Sequence, residues 1–276
     1  MPPKYEFRAE DIIQQGRIQQ ENLERLRSLC IAQNMPPMSD EQLILFLLFG
    51  DDMVEVARNT ITAYFKCKKN APELFYNRNI DSESFKKTLD ICEAALLPVR
   101  TRDNDAVMFG RLKDTSFTKY NFGGLIKLSA MIAELPLHKN PPDGVVGVMD
   151  FKGIGLRHLL KMKLSIVRTI LQYIQEGFPC KLKQIHILNS VGCIDKIIRL
   201  LKPFVKKEPL ELIEFHQPNI DMNDFFERFL PADCIPEDYG GTLPSLKIMS
   251  MVTYQEMRAM ETFYKDEEEQ IKSFIL

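Results

Sequence analysis

The sequence has no apolar run long enough to cross a bilayer. Its longest one, residues 43–49, has seven residues, whereas a membrane helix needs about 20. The first thirteen residues, MPPKYEFRAEDII, also lack the apolar core of a signal peptide. We therefore expect neither a membrane span nor secretion, and we place the protein in the cytoplasm. With 276 residues, 45% of them hydrophobic, the chain can bury a sizeable core.

Signatures of catalytic and metal sites are missing as well. No GxSxG or GxxxxGK[ST] motif is present, which removes the main signals for a serine hydrolase and for a P-loop. No cysteine has CxxC or other metal-ligand spacing, a pattern typical of buried free thiols in a reducing compartment. The cysteines are Cys30, Cys67, Cys92, Cys180, Cys193 and Cys234. We expect no cofactor, no metal and no enzymatic activity.

The one place that resembles a dinucleotide site departs from its fingerprint. Gly153 and Gly155 follow a predicted strand and open a helix, but His158 stands where the third glycine of that fingerprint belongs. Its bulk prevents the close approach of helix to strand. We predict that no nucleotide binds here.

The four histidines are far apart, and none has a second ligand at helical spacing. His186 and His216 both fall in predicted strands and could meet across the sheet, where satisfied core residues are the usual outcome. A Cys193–His186 nucleophile remains open on the sequence alone. An α/β enzyme acting on a hydrophobic substrate is therefore one alternative function.

Charge is nearly balanced over the whole chain, at −2, which argues against a general nucleic-acid binder. Residues 152–207, however, carry 12 Lys and Arg against two acidic residues, a net +10, so the remainder carries −12. Such asymmetry would attract an anionic membrane, at about 1 kcal/mol per basic residue that comes close to it. The other interpretation is that these charges scatter over the surface and keep the protein soluble.

Residues 1–97 are predicted to form an all-helical domain. Residues 8–31 carry a sparse apolar stripe typical of a helix, and Ser39 with Gln42 fits a capping box before an apolar helix that Gly50 ends. Asp51 or Asp52 is expected to cap the next helix, residues 53–69, and residues 84–97 are predicted to form a further one.

Residues 98–252 are predicted to form an α/β domain. Short apolar runs at residues 106–112, 145–151, 182–189 and 210–215 are typical of strands, and they alternate with helical patterns at residues 120–135 and 156–175. Strands separated by helices imply a parallel sheet. Residues 253–276 are predicted to be an acidic C-terminal helix, docked or frayed, so an adaptor that docks on a partner through this helix is another alternative.

A basic amphipathic helix is predicted from Ile194 onwards. Pro203 lies inside it, which costs about 3 kcal/mol unless the helix bends or ends there. A bent helix with one apolar and one basic side could cover a sheet as a movable lid, although a plain surface helix fits the same pattern.

Three separated pieces of sequence resemble the CRAL-TRIO lipid-binding family. They are IHILN at residues 185–189, KPFVKK at 202–207 and IPEDYGG at 235–241, and the flanking pattern extends the resemblance to residues 38–241. The resemblance implies a helical domain followed by a CRAL-TRIO domain with a mobile gate at residues 191–213. It implies a non-enzymatic, monomeric carrier that encloses and transfers one hydrophobic ligand, such as a tocopherol, a retinoid or another terpenoid.

The resemblance also places particular residues around that ligand, although each of them would serve equally as ordinary core. The expected lining is Phe109, Ile126, Ser129, Ala133, Val145, Val148, Ile154, Leu156, Ile166, Ile170, Tyr173, Ile174, Phe178, Leu182 and Ile185, and the gate would add Ile194, Ile198, Leu201 and Phe204. The residues expected to contact a membrane are Lys181, Lys183, Lys196, Arg199, Lys206 and Lys207.

Two departures from the family pattern bear on phosphoinositide binding. Residues 46–50 read FLLFG where relatives often carry arginines, and the residues after KPFVKK read EPLELIE rather than basic. We therefore expect weak attraction to anionic lipid without preference for one inositol phosphate isomer.

Overall fold

The computed structural model describes residues 1–190 and 211–275 of the chain. In this part of the chain, one β-sheet carries helices on both faces, and a group of helices precedes it. No helix within these two ranges combines the length and hydropathy that crossing a membrane requires.

The N-terminal helices confirm the predicted all-helical region. Their bounds are α1 Ala9–Gln14, α2 Gln20–Ala32, α3 Asp40–Phe49, α4 Val54–Lys69, α5 Pro72–Phe75 and α6 Glu83–Leu89. α3 begins as predicted, because the Ser39 hydroxyl accepts a hydrogen bond from the Gln42 amide at 3.2 Å. Its apolar residues are buried almost all round, so α3 forms the centre of this group.

Two N-terminal predictions are wrong in detail. Residues 8–31 form two helices, because the chain turns at Gly16, whose φ of +71° favours glycine. Neither Asp51 nor Asp52 caps α4, since Met53 is the preceding residue and makes no side-chain cap. Asp52 instead accepts a hydrogen bond from the Gln19 amide at 3.1 Å, which ties α2 to the turn after α3.

The helix predicted over residues 84–97 is wrong beyond Leu89. Cys92–Leu96 form strand β1, which pairs antiparallel with β2, Asp105–Leu112. Five residues are too few for periodicity to distinguish strand from helix, and pairing with β2 decides the outcome. The domain boundary at residue 98 stays a prediction, although the sheet begins before it.

Three more strands continue the sheet in parallel, which confirms the α/β class. They are β3 Gly144–Asp150, β4 Leu182–Leu188 and β5 Ile213–Phe215. Over the described ranges the strand order is β1-β2-β3-β4-β5, and β1 is antiparallel to its neighbour. The four predicted strands of the larger domain correspond to β2 through β5.

Helices α7, Phe122–Lys139, and α9, Leu164–Gln172, lie on one side of the sheet with their apolar residues against it. The single helix predicted over residues 156–175 is wrong. A short α8, Leu156–Leu159, precedes α9, and one π-helical turn, Tyr173–Gly177, follows it. His158 fixes α8, because its ring accepts a hydrogen bond from the Gly155 amide at 3.1 Å and lies 3.0 Å from the Thr115 carbonyl.

Gly177 allows the π turn to approach the N-terminal helices closely. A Cβ at this position would come within 3.0 Å of the Tyr64 backbone in α4. A contact of that length is tighter than nearly all real Cβ contacts, so the close packing of the two groups of helices here favours glycine.

The C-terminal region contains α10 Met222–Arg228, α11 Leu246–Ala259 and α12 Glu261–Ser273. α10 packs on the other side of the sheet, α11 against its β1 edge and α12 against α4. The amides of Ala94 and Leu96 at the open edge of β1 donate to Tyr254 Oη and Thr253 Oγ1 of α11, each at 3.1 Å. α11 therefore satisfies donors that an exposed edge strand would leave free.

The acidic C-terminal segment is docked rather than frayed. Glu267 of α12 is buried in a cluster with Lys68 of α4, Arg78, and Glu134 of α7. Lys68 Nζ lies 2.6 Å from Glu134 and 2.9 Å from Glu267, and Arg78 pairs with both carboxylates. Burial raises the pKa of Glu267, but Arg78 and Lys68 outweigh it and lower that pKa to about 2.

Replacing Glu267 by alanine should destabilise the protein by about 3–5 kcal/mol, because Lys68 and Arg78 would stay buried beside a single carboxylate. Urea unfolding followed by circular dichroism measures the loss. The matched control is Glu269→Ala in the same helix, whose side chain is 70% exposed and should cost less than about 0.5 kcal/mol. Equal losses in the two variants would contradict the role of the cluster.

Candidate functional site

The two faces of the sheet differ in what covers them. Alternate side chains point to opposite faces, so one face, the α7 face, looks towards α7 and α9, and the other, the α10 face, looks towards α10. The α7 face carries apolar residues and glycines in two rows that follow the strand register. One row is Leu96, Met108, Gly147, Ile185 and Ile213, and the other is Ala94, Gly110, Met149, Ile187 and Phe215.

The α7 face is only partly covered along both rows, from β1 to β5. Leu128, Met131, Ile132 and Leu135 of α7 are buried next to β1. Met149 is nevertheless 37% exposed, and Leu96, Met108, Gly147, Ile185 and Phe215 are half buried. Ile187 is the buried member of the rows. A half-covered apolar surface of this kind is typical of a site for an apolar ligand or partner.

Two glycines on this face leave room for a small side chain. A Cβ on Gly147 would meet Ile185 Cγ1 at 3.9 Å, and one on Gly110 would meet Ala94 Cβ at 3.8 Å, both ordinary contacts. The register places Met108 beside Gly147 and Met149 beside Gly110, so the glycines alternate with flexible side chains. Sequence reasoning missed both glycines, although a glycine inside a strand often marks close approach of a ligand.

Many of the predicted lining residues do come together. Val145, Ile166, Tyr173 and Phe178 belong to one buried cluster, against which Ile126, Ala133 and Ile170 pack. Ile154, Ile174, Leu182 and Ile185 are half buried. This side of the sheet, with α7 and α9, is where the structure gathers most of the predicted set.

Three predicted lining residues are placed elsewhere. Phe109 and Val148 lie on the α10 face, packed with Phe225 and Leu246, because they alternate with Met108 and Gly147 along their strands. Leu156 is 48% exposed. A buried parallel strand carries apolar residues on both of its faces, so the sequence does not show which face a given apolar residue occupies.

The polar residues of the predicted set face away from the apolar rows. Ser129 is exposed and its hydroxyl donates to the Leu125 carbonyl at 3.0 Å. Tyr173 lines a cavity of about 20 Å³ beside Lys68, Glu134 and Glu267, and its buried hydroxyl has no protein partner. Burial and the nearby carboxylates raise the pKa of Tyr173 far above its usual value.

Residues 191–210 of the predicted gate lie outside the described residues, and its last residue, Ile213, is the first residue of β5. Residues 191–210 include the lining residues Ile194, Ile198, Leu201 and Phe204 and the basic residues Lys196, Arg199, Lys206 and Lys207. Cys193 also lies there, so the Cys193–His186 alternative stays untested. The cysteines of the described ranges are all buried and unpaired: Cys30, Cys67, Cys92, Cys180 and Cys234.

The two remaining basic candidates stand beside carboxylates. Lys181 Nζ lies 2.5 Å from Asp51 Oδ1, and Lys183 shares with it a cleft of about 250 Å³. Arg17 and Asp143 in the same cleft form a pair at 2.6 Å. Two of the three cations that line the cleft are thus neutralised by carboxylates, so little positive field is left for a polyanionic headgroup.

Exposed leucines form a second surface that sequence reasoning did not find. Leu156, Leu160 and Leu164 are 48%, 78% and 50% exposed, on and between α8 and α9. Arg157 and Lys163 are exposed among them. Apolar side chains interspersed with basic ones are typical of surfaces that enter the interface of an anionic bilayer.

Two of the motif pieces meet at one carboxylate. Asn189, at the end of IHILN, donates to Asp150 Oδ1 at 2.7 Å, and Tyr239 of IPEDYGG donates to Asp150 Oδ2 at 2.8 Å. Gly241 follows in a position where a Cβ would overlap the Ile235 carbonyl. These pieces therefore hold the C-terminal segment against the ends of β3 and β4.

Comparison with known proteins identifies the family of this chain. The CRAL/TRIO domain profile matches residues 92–241, more than half of the sequence. The chain belongs to the CRAL/TRIO family. The resemblance drawn from IHILN, KPFVKK and IPEDYGG is thereby confirmed, and members of this family bind and transfer lipids.

Relatives of this CRAL/TRIO protein are similar at low identity. The Mus musculus protein named alpha-tocopherol transfer protein-like is 24% identical over 215 residues, which are 77% of this chain and 61% of that protein. Clavesin-1 of Xenopus laevis is 24% identical over 189 residues, 67% of this chain and 55% of its own length. The chain thus spans less than two thirds of these two relatives.

A solved structure shows the same fold. The crystal structure of Sfh5 superimposes with a TM-score of 0.52 at 13% identity, over 76% of this chain and 74% of that one. Within residues 1–190 and 211–275, no group of three or more His, Cys, Asp or Glu side chains is arranged to hold a metal.

Enlarging Gly147 tests whether the space above it is used. Gly147→Ala should leave binding of a long apolar lipid nearly unchanged, whereas Gly147→Leu should weaken it at least about tenfold, because the larger side chain occupies the ligand's volume. Fluorescence titration measures binding, and thermal unfolding checks that both variants stay folded. Undiminished binding in the folded leucine variant would exclude this part of the sheet from the site.

Proposed function

We propose that the protein is a non-enzymatic carrier that binds one neutral lipid against the α7 face and transfers it between membranes. The observation that carries this proposal is the apolar character of the two rows on that face, with room for a Cβ at Gly110 and Gly147 and half-buried residues along both rows. Family membership supports the lipid-binding role.

The chemistry of the α7 face favours a neutral ligand. Its two rows contain no charged or hydroxyl side chain, so a charged headgroup placed there would lose its hydration without compensation. Enclosing about 400 Å² of apolar ligand surface, at about 25 cal/mol per Å², contributes on the order of 10 kcal/mol before immobilisation costs. A terpenoid or sterol-like molecule with one weakly polar end fits these conditions.

Retinol and retinoic acid make a direct test, because they share a hydrocarbon skeleton and differ in charge at neutral pH. The protein should bind retinol at least about tenfold more tightly than retinoic acid, as measured by ligand fluorescence at pH 7.5. Native mass spectrometry of the purified protein should show a lipid bound at unit stoichiometry. Preference for the acid, or an apolar compound that is chemically altered on incubation, would argue against a neutral-lipid carrier.

Membrane contact is assigned in this proposal to the exposed leucines and their basic neighbours. Insertion of Leu156, Leu160 and Leu164 would add apolar burial to the attraction that Arg157 and Lys163 exert on anionic lipid. Because Lys181 is paired with Asp51, we expect no preference among phosphoinositide isomers at matched charge.

The double variant Leu156→Ser with Leu160→Ser should lower retinol transfer to anionic vesicles several-fold while leaving binding of retinol intact. The control is Ile248→Ser with Met251→Ser on α11, since these residues are 54% and 58% exposed and lie on a different helix. Transfer is followed by energy transfer to a labelled vesicle. Equal losses in both double variants would show that exposed apolar residues act without regard to position.

The alternative functions have less support. An adaptor would use the C-terminal helix, but Glu267, Gln270 and Ile271 of α12 are buried within the protein. An α/β enzyme would need a nucleophile or a metal, and the residues described give neither an arrangement for a metal nor a GxSxG motif. The burial of the cysteine thiols supports a reducing, cytoplasmic location, and a monomer is sufficient for the site.

A further inference from the structure

His186 and His216 form a buried pair on the α10 face, as their positions in the sequence predict. His186 Nδ1 lies 3.0 Å from His216 Nε2, and the two residues are 0% and 7% exposed. The rings of Phe225 and Phe229 enclose both, with centroids 4.9 to 5.2 Å away. Such a contact needs one nitrogen with a proton and one without, so two imidazolium rings cannot form it.

The pair lies where β5 attaches to the rest of the sheet. β5 has three residues and is the last strand in the order. The His216 amide donates to the Ile187 carbonyl at 2.8 Å, and the His216 carbonyl accepts from the Ser190 amide at 3.0 Å and hydroxyl at 2.8 Å. Since so short a strand has few other hydrogen bonds, those of His216 supply a large part of the attachment of β5 to β4.

The charges around the pair come from two elements. Glu214 of β5 pairs with His186 in the register and favours the protonated form of His216, whereas Arg228 of α10 opposes it. The neighbours from β3 and α10, Val148, Phe225 and Phe229, are uncharged. For His216, burial outweighs these charges and lowers its pKa. For His186, burial and, to a lesser extent, the neighbouring His216 lower the pKa to about 4.

The pKa directions of the two histidines decide how pH affects the balance between the attached state and a detached state, in which β5 has separated from β4. In the detached state His216 leaves its buried position and His186 loses His216 as a neighbour, so each titrates closer to the usual pKa of about 6.5 than in the attached state. The detached state therefore takes up more protons as the pH falls. The stability that the neutral pair gives to β5 is complete above pH 6.5 and is lost as the pH falls towards 4.

We propose that the His186–His216 pair is an acid-sensitive latch that releases β5 from β4. Ile213 and Phe215 lie on the opposite side of the same strand, in the two apolar rows of the α7 face. Release of β5 removes both side chains from the lipid site, so acidification lowers lipid retention. This consequence rests on the proposed function, whereas the release of β5 does not.

Hydrogen exchange tests the latch without any ligand. The amides of Ile185 and His216 bond across β4 and β5, so their protection, corrected for intrinsic pH dependence, should fall between pH 6.5 and 4.5. The fall should reach up to about tenfold per pH unit for each histidine that takes up a proton. Amides between β2 and β3 should keep their protection. Retinol retention, measured in parallel, should fall over the same range.

A matched pair of variants separates the latch from general acid effects. His186→Asn with His216→Gln places amides at the two hydrogen-bonding positions without a titratable group, and should abolish the acid response of β5 and of retention. The control is His138→Gln, because His138 on α7 is also buried and its Nε2 bonds the Lys4 carbonyl at 3.0 Å. That variant should respond to acid as the unmodified protein does.

Each outcome decides the proposal. An unchanged acid response in the double variant, or protection of the Ile185 and His216 amides that persists to pH 4.5, overturns the latch. If the double variant does not fold, His186 and His216 are titrated by NMR in the unmodified protein. The midpoint of their titration must then coincide with the midpoint of the loss of amide protection, and different midpoints overturn the latch. If the protein does not bind retinol at pH 7.5, the carrier function is overturned. The hydrogen-exchange result alone then decides whether the latch exists. Release of β5 without loss of retinol overturns the regulatory consequence.

Discussion

The buried charges of Lys68, Arg78, Glu134 and Glu267 are the constraint on which the arrangement of the helices depends. Each of the two cations contacts both carboxylates, so the cluster is neutral as a whole. Separating any member would leave a charge in an apolar interior, which is far more costly than losing an apolar contact. Because the members come from α4, from the segment after α5, from α7 and from α12, the N-terminal helices, the cover of the sheet and the C-terminal helix take one fixed arrangement.

That arrangement gives the sheet two unequal faces. On the α10 face Phe109, Val148 and Phe225 are almost completely buried, and Asp150 joins Asn189 to Tyr239. On the α7 face, most residues of the two apolar rows stay only half buried. The site proposed for the lipid arises from this difference, since a face packed tightly by side chains has no room for another molecule.

The residues that reveal the family and the residues that carry the proposed function are largely different ones. Asn189, Tyr239 and Gly241, which belong to the recognisable motifs, hold the C-terminal segment in place on the α10 side. Gly110, Gly147 and the exposed Leu160 belong to no motif that reasoning on the sequence singled out. A motif can therefore identify the fold of this chain while its own residues say little about the ligand, which supports testing ligand class by chemistry rather than by resemblance.

The sequence by itself determined the strands β2 to β5, the cap at Ser39 and the α/β class, and it placed His186 and His216 where they could meet. Short apolar runs, capping residues and their order along the chain are local properties, and local properties are readable without a fold. Only the tertiary structure decided that Cys92–Leu96 is a strand, that Phe109 and Val148 face away from Gly147, and that Lys181 meets Asp51. These outcomes depend on pairing with β2, on which helices cover each face and on contacts across more than a hundred residues, and no local pattern contains that information.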